Sequence, residues 1–266
     1  MKSKNYLQTH QFSFLLLVRL DTIDRLENII SVTKFLGSNF DATISVLECS
    51  PYNNGILGKL LNKSIQYSYQ EDPDPILYRT KFLNQMSLAV KTPFVAVWDT
   101  DVVVPADQVV KAMELLRTGE ADFVYPYEKQ FLDTSPILRK LYLQEESVEI
   151  LQQNSKKMKE MYLPNPVGGA FLARTEAYRV AGLENEDFYG WGMEDGERFY
   201  RWQNLGYKIK RVPGPLFHLS HGRGINSAFH NADQHYIKNK EVVRVRRTKN
   251  SNDVFPKDEK VQSNNS

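Results

Sequence analysis

An α/β fold with a mostly parallel central sheet flanked by helices follows from three features of the sequence. Strand-like and helix-like segments alternate from the start, the first strand candidate is a continuous apolar run, and 266 residues are enough to cover a sheet on both faces around one sizeable core. "FSFLLLVRL" reads as a buried strand. In "TIDRLENIISVTKFLG" the residues Ile23, Leu26, Ile29, Ile30 and Phe35 recur at helical spacing, and Gly37 is the expected stop. "DATISVLECS" is a second strand, "LYRTKFLNQMSLAVKT" a second amphipathic helix, and "FVAVW" a third strand. In such a β-α-β-α-β order ligands gather at the carboxyl ends of the strands. Arg19, Glu48 and Asp99 stand at those ends. Farther on, Arg139 to Leu163 reads as a polar helical insertion beside the sheet, and "NPVGGAFLARTEAYRVAGL" returns to strand then helix.

Composition narrows the function. Thirty-four basic residues against 32 acidic ones give a net charge of +2, so no global field recruits nucleic acid. A lone cysteine, Cys49, leaves no internal disulfide framework and fits a reducing compartment. "FSFLLLV" is too short to span a bilayer, and "RLDTIDRLENI" after it offers no small-residue cleavage site. The expectation is a cytoplasmic protein. "KNKEVVRVRRTK" (Lys238 to Lys249) is a basic cluster with one acid, read as a solvated edge strand containing Val242, Val243 and Val245, or as a dock on the inner face of an anionic membrane.

Three constellations carry chemistry. In "WDTDVVVP" the carboxylates of Asp99 and Asp101 stand one residue apart, on one face if the strand continues through them. A divalent cation bridging to phosphates would offset their repulsion. Plain strand termination explains the pair equally well. "FHLSHGRG" puts His218 and His221 three apart, two surface histidines or two nitrogen ligands that with Asp101 would suit manganese better than magnesium. In "FYGWGMEDGERFYRW", Glu194 and Asp195 open a helix, as an N-terminal pair favoured by the helix dipole or as a general base. Trp191 between two glycines is a natural face for a sugar ring.

Together "LYRTKFLN", "WDTD", "GGAFLARTEAY", "GWGMEDGE" and "HLSH", in this order, resemble the β-1,4-galactosyltransferases and related N-acetylgalactosaminyl- and chondroitin-type transferases, over roughly Phe12 to Gly224. The resemblance implies the GT-A nucleotide-sugar transferase fold with a Rossmann-like N-terminal half. It implies inverting transfer of galactose or N-acetylgalactosamine from a UDP-sugar to a glycan or lipid-linked glycan hydroxyl, with Mn2+ or another divalent cation. Asp101, His218 and His221 would then hold the metal, with Asp99 in the metal shell and by the ribose. Arg19, Glu48, Arg79 and Lys81 would contact the nucleotide. Trp191, Gly168, Gly169 and Glu194 would line the sugar sites, and Asp195 would be the base. Met193 stands where the family usually has a second glycine, and Gly196 where it has another acid. "VRLDTIDRL" looks more like bacterial family 2 glycosyltransferases, which implies a role in bacterial surface polysaccharide synthesis.

A metal-dependent phosphoester hydrolase would use the same ligands but leaves the tryptophan turn and the double glycine unexplained. A non-catalytic nucleotide-sugar or glycan-binding module would be favoured by loss of Asp101 or Asp195, and both are present. One domain is expected over 1–246, with a nucleotide-binding half at about 10–105 and an acceptor and metal half at about 106–246. A polar tail, 247–266, would stay disordered. His218 to Tyr236, with glycines near its start, is expected to act as a lid.

Overall fold

The computed structural model describes residues 9–227 and 232–248. Its first half runs β1 (Phe12–Val18), α1 (Ile23–Asn39), β2 (Thr43–Ser50), α2 (Ile56–Leu60), β3 (Gln66–Glu71), α3 (Arg79–Ala89), β4 (Phe94–Trp98), β5 (Val102–Val103) and α4 (Ala106–Arg117). Then come β6 (Phe123–Tyr125), β7 (Phe131–Asp133), α5 (Pro136–Glu145), α6 (Val148–Gln153), β8 (Lys159–Glu160), β9 (Ala170–Arg174) and α7 (Thr175–Val180). The last elements are α8 (Glu194–Asn204), β10 (Ile209–Arg211), β11 (Leu216–His218) and α9 (Ala232–Arg247).

Every residue of β1 is buried, as expected of a strand covered on both faces. It pairs in parallel with β2 and with β4, and is an interior strand of a seven-stranded sheet in the order β10-β6-β9-β4-β1-β2-β3. The chain steps outward from β1 to β2 and β3, then crosses back to lay β4 on the other side of β1. Strand order thus reverses between β1 and β4, where an α/β sheet opens a ligand crevice at its carboxyl edge. Of the long strands, β9 is antiparallel to β4. A smaller sheet, β5-β11-β7-β8, stands beside that edge.

Thr22 caps α1 by accepting from the Arg25 N–H at 3.3 Å. The helix runs through Gly37 to Asn39, past the expected stop, and ends where Phe40 turns to extended backbone and enters the core. Ile29, Val32 and Leu36 form its buried face, whereas Ile23 is exposed.

Arg139 to Leu163 is not one helix. Glu146 adopts the left-handed conformation (φ 53°), which ends α5, and a new short helix starts after Ser147. The basic segment from Lys238 is helical, not an edge strand: Val242 and Val245, three apart, lie on one helix face and are buried, while Val243 is exposed. Alternating β-branched residues suggested a strand, but packing of α9 on α8 decides the conformation. Among the described residues no helix is long and apolar enough to cross a membrane. The tail beyond Thr248 lies outside the described residues.

Candidate active site

A cavity of about 420 Å³ opens at the reversal point between β1 and β4, a size suited to a small ligand. Its wall includes Arg19 after β1 and Asp99 and Asp101 after β4. It also includes Arg79 at the start of α3, Gly168 and Gly169 before β9, and the Trp191–Asp195 segment.

Asp99 and Asp101 do not share a strand face. β4 ends at Trp98, the chain turns, and the Val102 N–H bonds back to the Asp99 carbonyl at 3.3 Å. The two carboxylates then find different partners, so each like charge is compensated separately. Asp99 takes an ion pair from Arg79. Burial pushes its pKa up to about 6, Arg79 opposing and the charges of Asp101 and Asp195 adding to the rise. Asp101 turns toward the histidines because β5 pairs with β11 in a register that sets Val102 opposite His218. The Leu219 N–H donates to the Asp101 carbonyl at 2.7 Å and locks that approach.

Asp101 Oδ2 lies 3.1 Å from His221 Nε2 and 3.7 Å from His218 Nε2. The ligand atoms of the three residues lie within 4.8 Å of one another. The far side of each ring fixes what points inward. His221 Nδ1 sits 2.8 Å from the Gly222 carbonyl, which can only accept. His218 Nδ1 sits 2.7 Å from Asp133, brought alongside by the parallel β7–β11 register. Each Nδ1 is therefore the donor, and in the neutral rings both Nε2 lone pairs converge with the Asp101 carboxylate. Only a proton or a cation can reconcile three converging lone pairs, and a two-histidine, one-carboxylate set with outer-shell support fits a divalent transition ion. Burial acts to lower the His218 pKa, but Asp101, Asp133 and Asp99 together raise it. Asp99, engaged by Arg79, stands outside the triad.

The double glycine makes room for the acid pair. A side chain at Gly168 would put its Cβ 2.7 Å from Asp195 Oδ2, and one at Gly169 (φ 80°) would strike the Phe131 ring at 2.9 Å. Asp195, in the first turn of α8, pairs with Arg198 at 2.6 Å. Arg198 is itself pinned by the buried carboxylate of Glu184 at 2.9 and 2.8 Å and stacks over the Phe171 ring at 4.4 Å. This holds one carboxylate oxygen and leaves the other toward Gly168, on the cavity wall.

Glu194 is 5% exposed. Arg79 Nε approaches its Oε1 at 3.9 Å, and its buried Oε2 has no hydrogen-bond partner among the described residues. Burial, reinforced by the Asp195 charge and opposed by Arg79, pushes its pKa up to about 7. The ordinary value is 4.5. Below that value both folded and unfolded chains hold the proton. Between it and about 7 only the unfolded chain releases it, so stability is lost as pH rises through this window. Glu194→Gln should therefore stabilise the metal-free protein at pH 8 by on the order of 2 kcal/mol and have little effect at pH 4.5. Thermal melts across that range check this, and a Tm difference that does not vary with pH would mean Glu194 ionises without penalty.

Of the remaining expected contacts, Arg19 lines the cavity but spends its donors on the Cys49 carbonyl (2.9 Å), the Asp74 carbonyl and Asp72, stapling the loop after β3 to the strand ends. Trp191 is half-buried on the wall. Glu48 is fully buried away from the cavity and accepts from the Tyr67 hydroxyl at 2.8 Å. Lys81 is exposed on α3, near the Tyr78 ring rather than in the cavity. Sequence reasoning missed Arg25, which lines the cavity and donates to Ser227 at 2.7 Å, and Arg198, whose spacing of three from Asp195 on a helix was legible. Asp133 had no signal short of the β7–β11 register. The expected lid is tied at Leu219 to Asn28 and at Asn226 to the Leu77 N–H, and residues 228–231 within it lie outside the described residues.

Residues 151–223 match the sequence family described as the N-terminal domain of galactosyltransferase, a stretch that carries Gly168, Gly169, the acid pair and both histidines. The fold is similar to that of the catalytic domain of Drosophila β1,4-galactosyltransferase 7 in complex with xylobiose (TM-score 0.55, 17% identity, 86% of this chain and 79% of that one). The fold is that of the GT-A glycosyltransferases. A mutant of the same fly enzyme with manganese, UDP-Gal and xylobiose aligns at TM-score 0.53 and 16% identity over 85% of this chain and 79% of that one. A Pyrobaculum calidifontis mannosyltransferase with GDP-Man and Mn2+ aligns at 0.51 and 12% over 81% and 58%. No curated protein matches by sequence. In its family segment and its GT-A fold the chain is similar to glycosyltransferases.

Proposed function

We propose that this GT-A chain transfers galactose or N-acetylgalactosamine from a UDP-sugar to a glycan hydroxyl with inversion, in the building of a surface polysaccharide. The observation that carries the reading is one cavity wall holding both a carboxylate oriented by Arg198 and the Asp101–His218–His221 cluster. The fly enzyme bound to UDP-Gal and manganese supports the donor class, and its xylobiose supports a sugar acceptor. In this reading Asp195 takes the acceptor hydroxyl proton as that oxygen forms a bond to the sugar C1 and the C1–phosphate oxygen bond breaks. A divalent cation held by Asp101, His218 and His221 supplies charge neutralisation for the departing diphosphate. Arg79, fixed between Asp99 and Glu194, adds a fixed positive charge to the same wall. Trp191 offers an apolar face to the sugar.

A panel of UDP-sugars incubated with Mn2+ tests this without knowledge of the acceptor. Slow release of UDP from UDP-galactose or UDP-N-acetylgalactosamine, with other donors inert, is expected. Release of phosphate from a monoester such as UMP, with UDP-sugars inert, would point instead to a phosphoester hydrolase.

A further inference from the structure

We propose that Lys238 of the C-terminal helix α9 is a positioning residue for the Trp191–Glu194 loop, which makes α9 part of the transfer machinery rather than an appendage. Lys238 is only 3% exposed. A lysine is rarely placed so deep unless its charge meets a partner. Its Nζ donates to the Trp191 carbonyl at 2.8 Å. Its charge also acts on Glu194, and Glu194 on it.

The loop is built in a way that needs such an external tie. Gly190, Gly192 and Met193 all have positive φ (74°, 102° and 75°), so three of the four residues leading into α8 sit in left-handed conformations. Met193 does so without the freedom of glycine, a strained choice. α8 has no side-chain cap hydrogen bond at its N-terminus. The local sequence therefore does little to hold the Trp191 peptide, and the Lys238 ammonium holds it from outside.

α9 is in turn fastened to α8. Val242 and Val245, four and seven residues after Lys238, share its inward face. The Arg246 guanidinium stacks over the Tyr200 ring at 4.4 Å, and the Asn204 side chain donates to the Val245 carbonyl. Lys238 thus reaches the loop from an element anchored to the helix that carries Glu194 and Asp195.

Trp191 supplies a readout independent of catalysis. Trp98 and Trp202 are 1% and 0% exposed, and the chain has three tryptophans, so emission accessible to an iodide quencher reports Trp191. Lys238→Met, which keeps the aliphatic stem, is compared with Lys240→Met, an exposed position on the same helix. The expected result is a quenching constant raised ~2-fold or more in Lys238→Met alone. A kcat lowered ~10-fold is expected with it, in line with loss of alignment at a reacting centre. The KM for the UDP-sugar should stay within ~2-fold, and Lys238→Arg should recover part of the rate. If Lys238→Met does not melt cooperatively, Lys238→Gln, which keeps a donor but shortens its reach, replaces it with the same readouts. Unchanged quenching and kcat in the tested variant would overturn the proposal, as would equal effects of Lys240→Met. The rate arm rests on the proposed function and the quenching arm does not. A wild-type chain that transfers no sugar would count against that function and leave the quenching to decide the role of Lys238.

Discussion

Asp195→Asn is expected to slow sugar transfer by ~10²–10⁴-fold, the worth of a positioned general base, with UDP-sugar affinity nearly unchanged. The substitution conserves volume, so it respects the tight approach to Gly168, and the Asn carbonyl oxygen can still accept from Arg198. The acceptor proton then has no carboxylate to receive it. Steady-state kinetics with a competent acceptor and isothermal titration of the donor separate the two effects. Turnover at the wild-type rate would reduce Asp195 to a helix-terminus charge favoured by the α8 dipole.

The first half of the fold was legible because its signals are local. Continuous apolar strands, a helical period from Ile23 to Phe35 and carboxylates at strand ends all lie within short windows, and β1, α1, β2, α3 and β4 form where those windows predict. Errors came where long-range packing overrides local preference, at Glu146 and again in α9, where burial of Val242 and Val245 against α8 outweighs β-propensity. The site divides the same way. Asp101, His218 and His221 were legible by residue type, but their convergence depends on the β5–β11 register, which no short window encodes. Asp99 was misjudged geometrically: the turn after Trp98 sends it to Arg79. Glu48 shows the limit of the strand-end argument, since its neighbour Tyr67 on β3 satisfies it inside the sheet's cover rather than in the crevice. Lys238 carried no sequence signal as a site residue, because a lysine in a basic run is ordinarily solvated.

Asp101→Ala should abolish Mn2+ binding at concentrations that saturate the wild type and, with it, transfer. Asp101 is the one carboxylate in the triad, 3.1 and 3.7 Å from the two imidazole nitrogens, so its removal leaves two neutral ligands with no anion to balance a dication. Asp133→Asn is a milder lesion. It touches no metal but weakens the acceptor for His218 Nδ1, and such outer-shell losses typically weaken metal affinity by about 10–100-fold. Affinity should also fall with acidity, since protons compete for the same Nε2 lone pairs. Because His218 titrates above its ordinary value of 6.5, the loss should begin above that pH. Nitrogen ligands further favour manganese over magnesium. Electron paramagnetic resonance of free Mn2+ follows binding directly in all three proteins across pH, and chelation with metal add-back follows transfer. Full transfer in excess chelator, or equal Mn2+ affinity in wild type and Asp101→Ala, would remove the metal from this site and leave the triad as a buried ion-pair cluster.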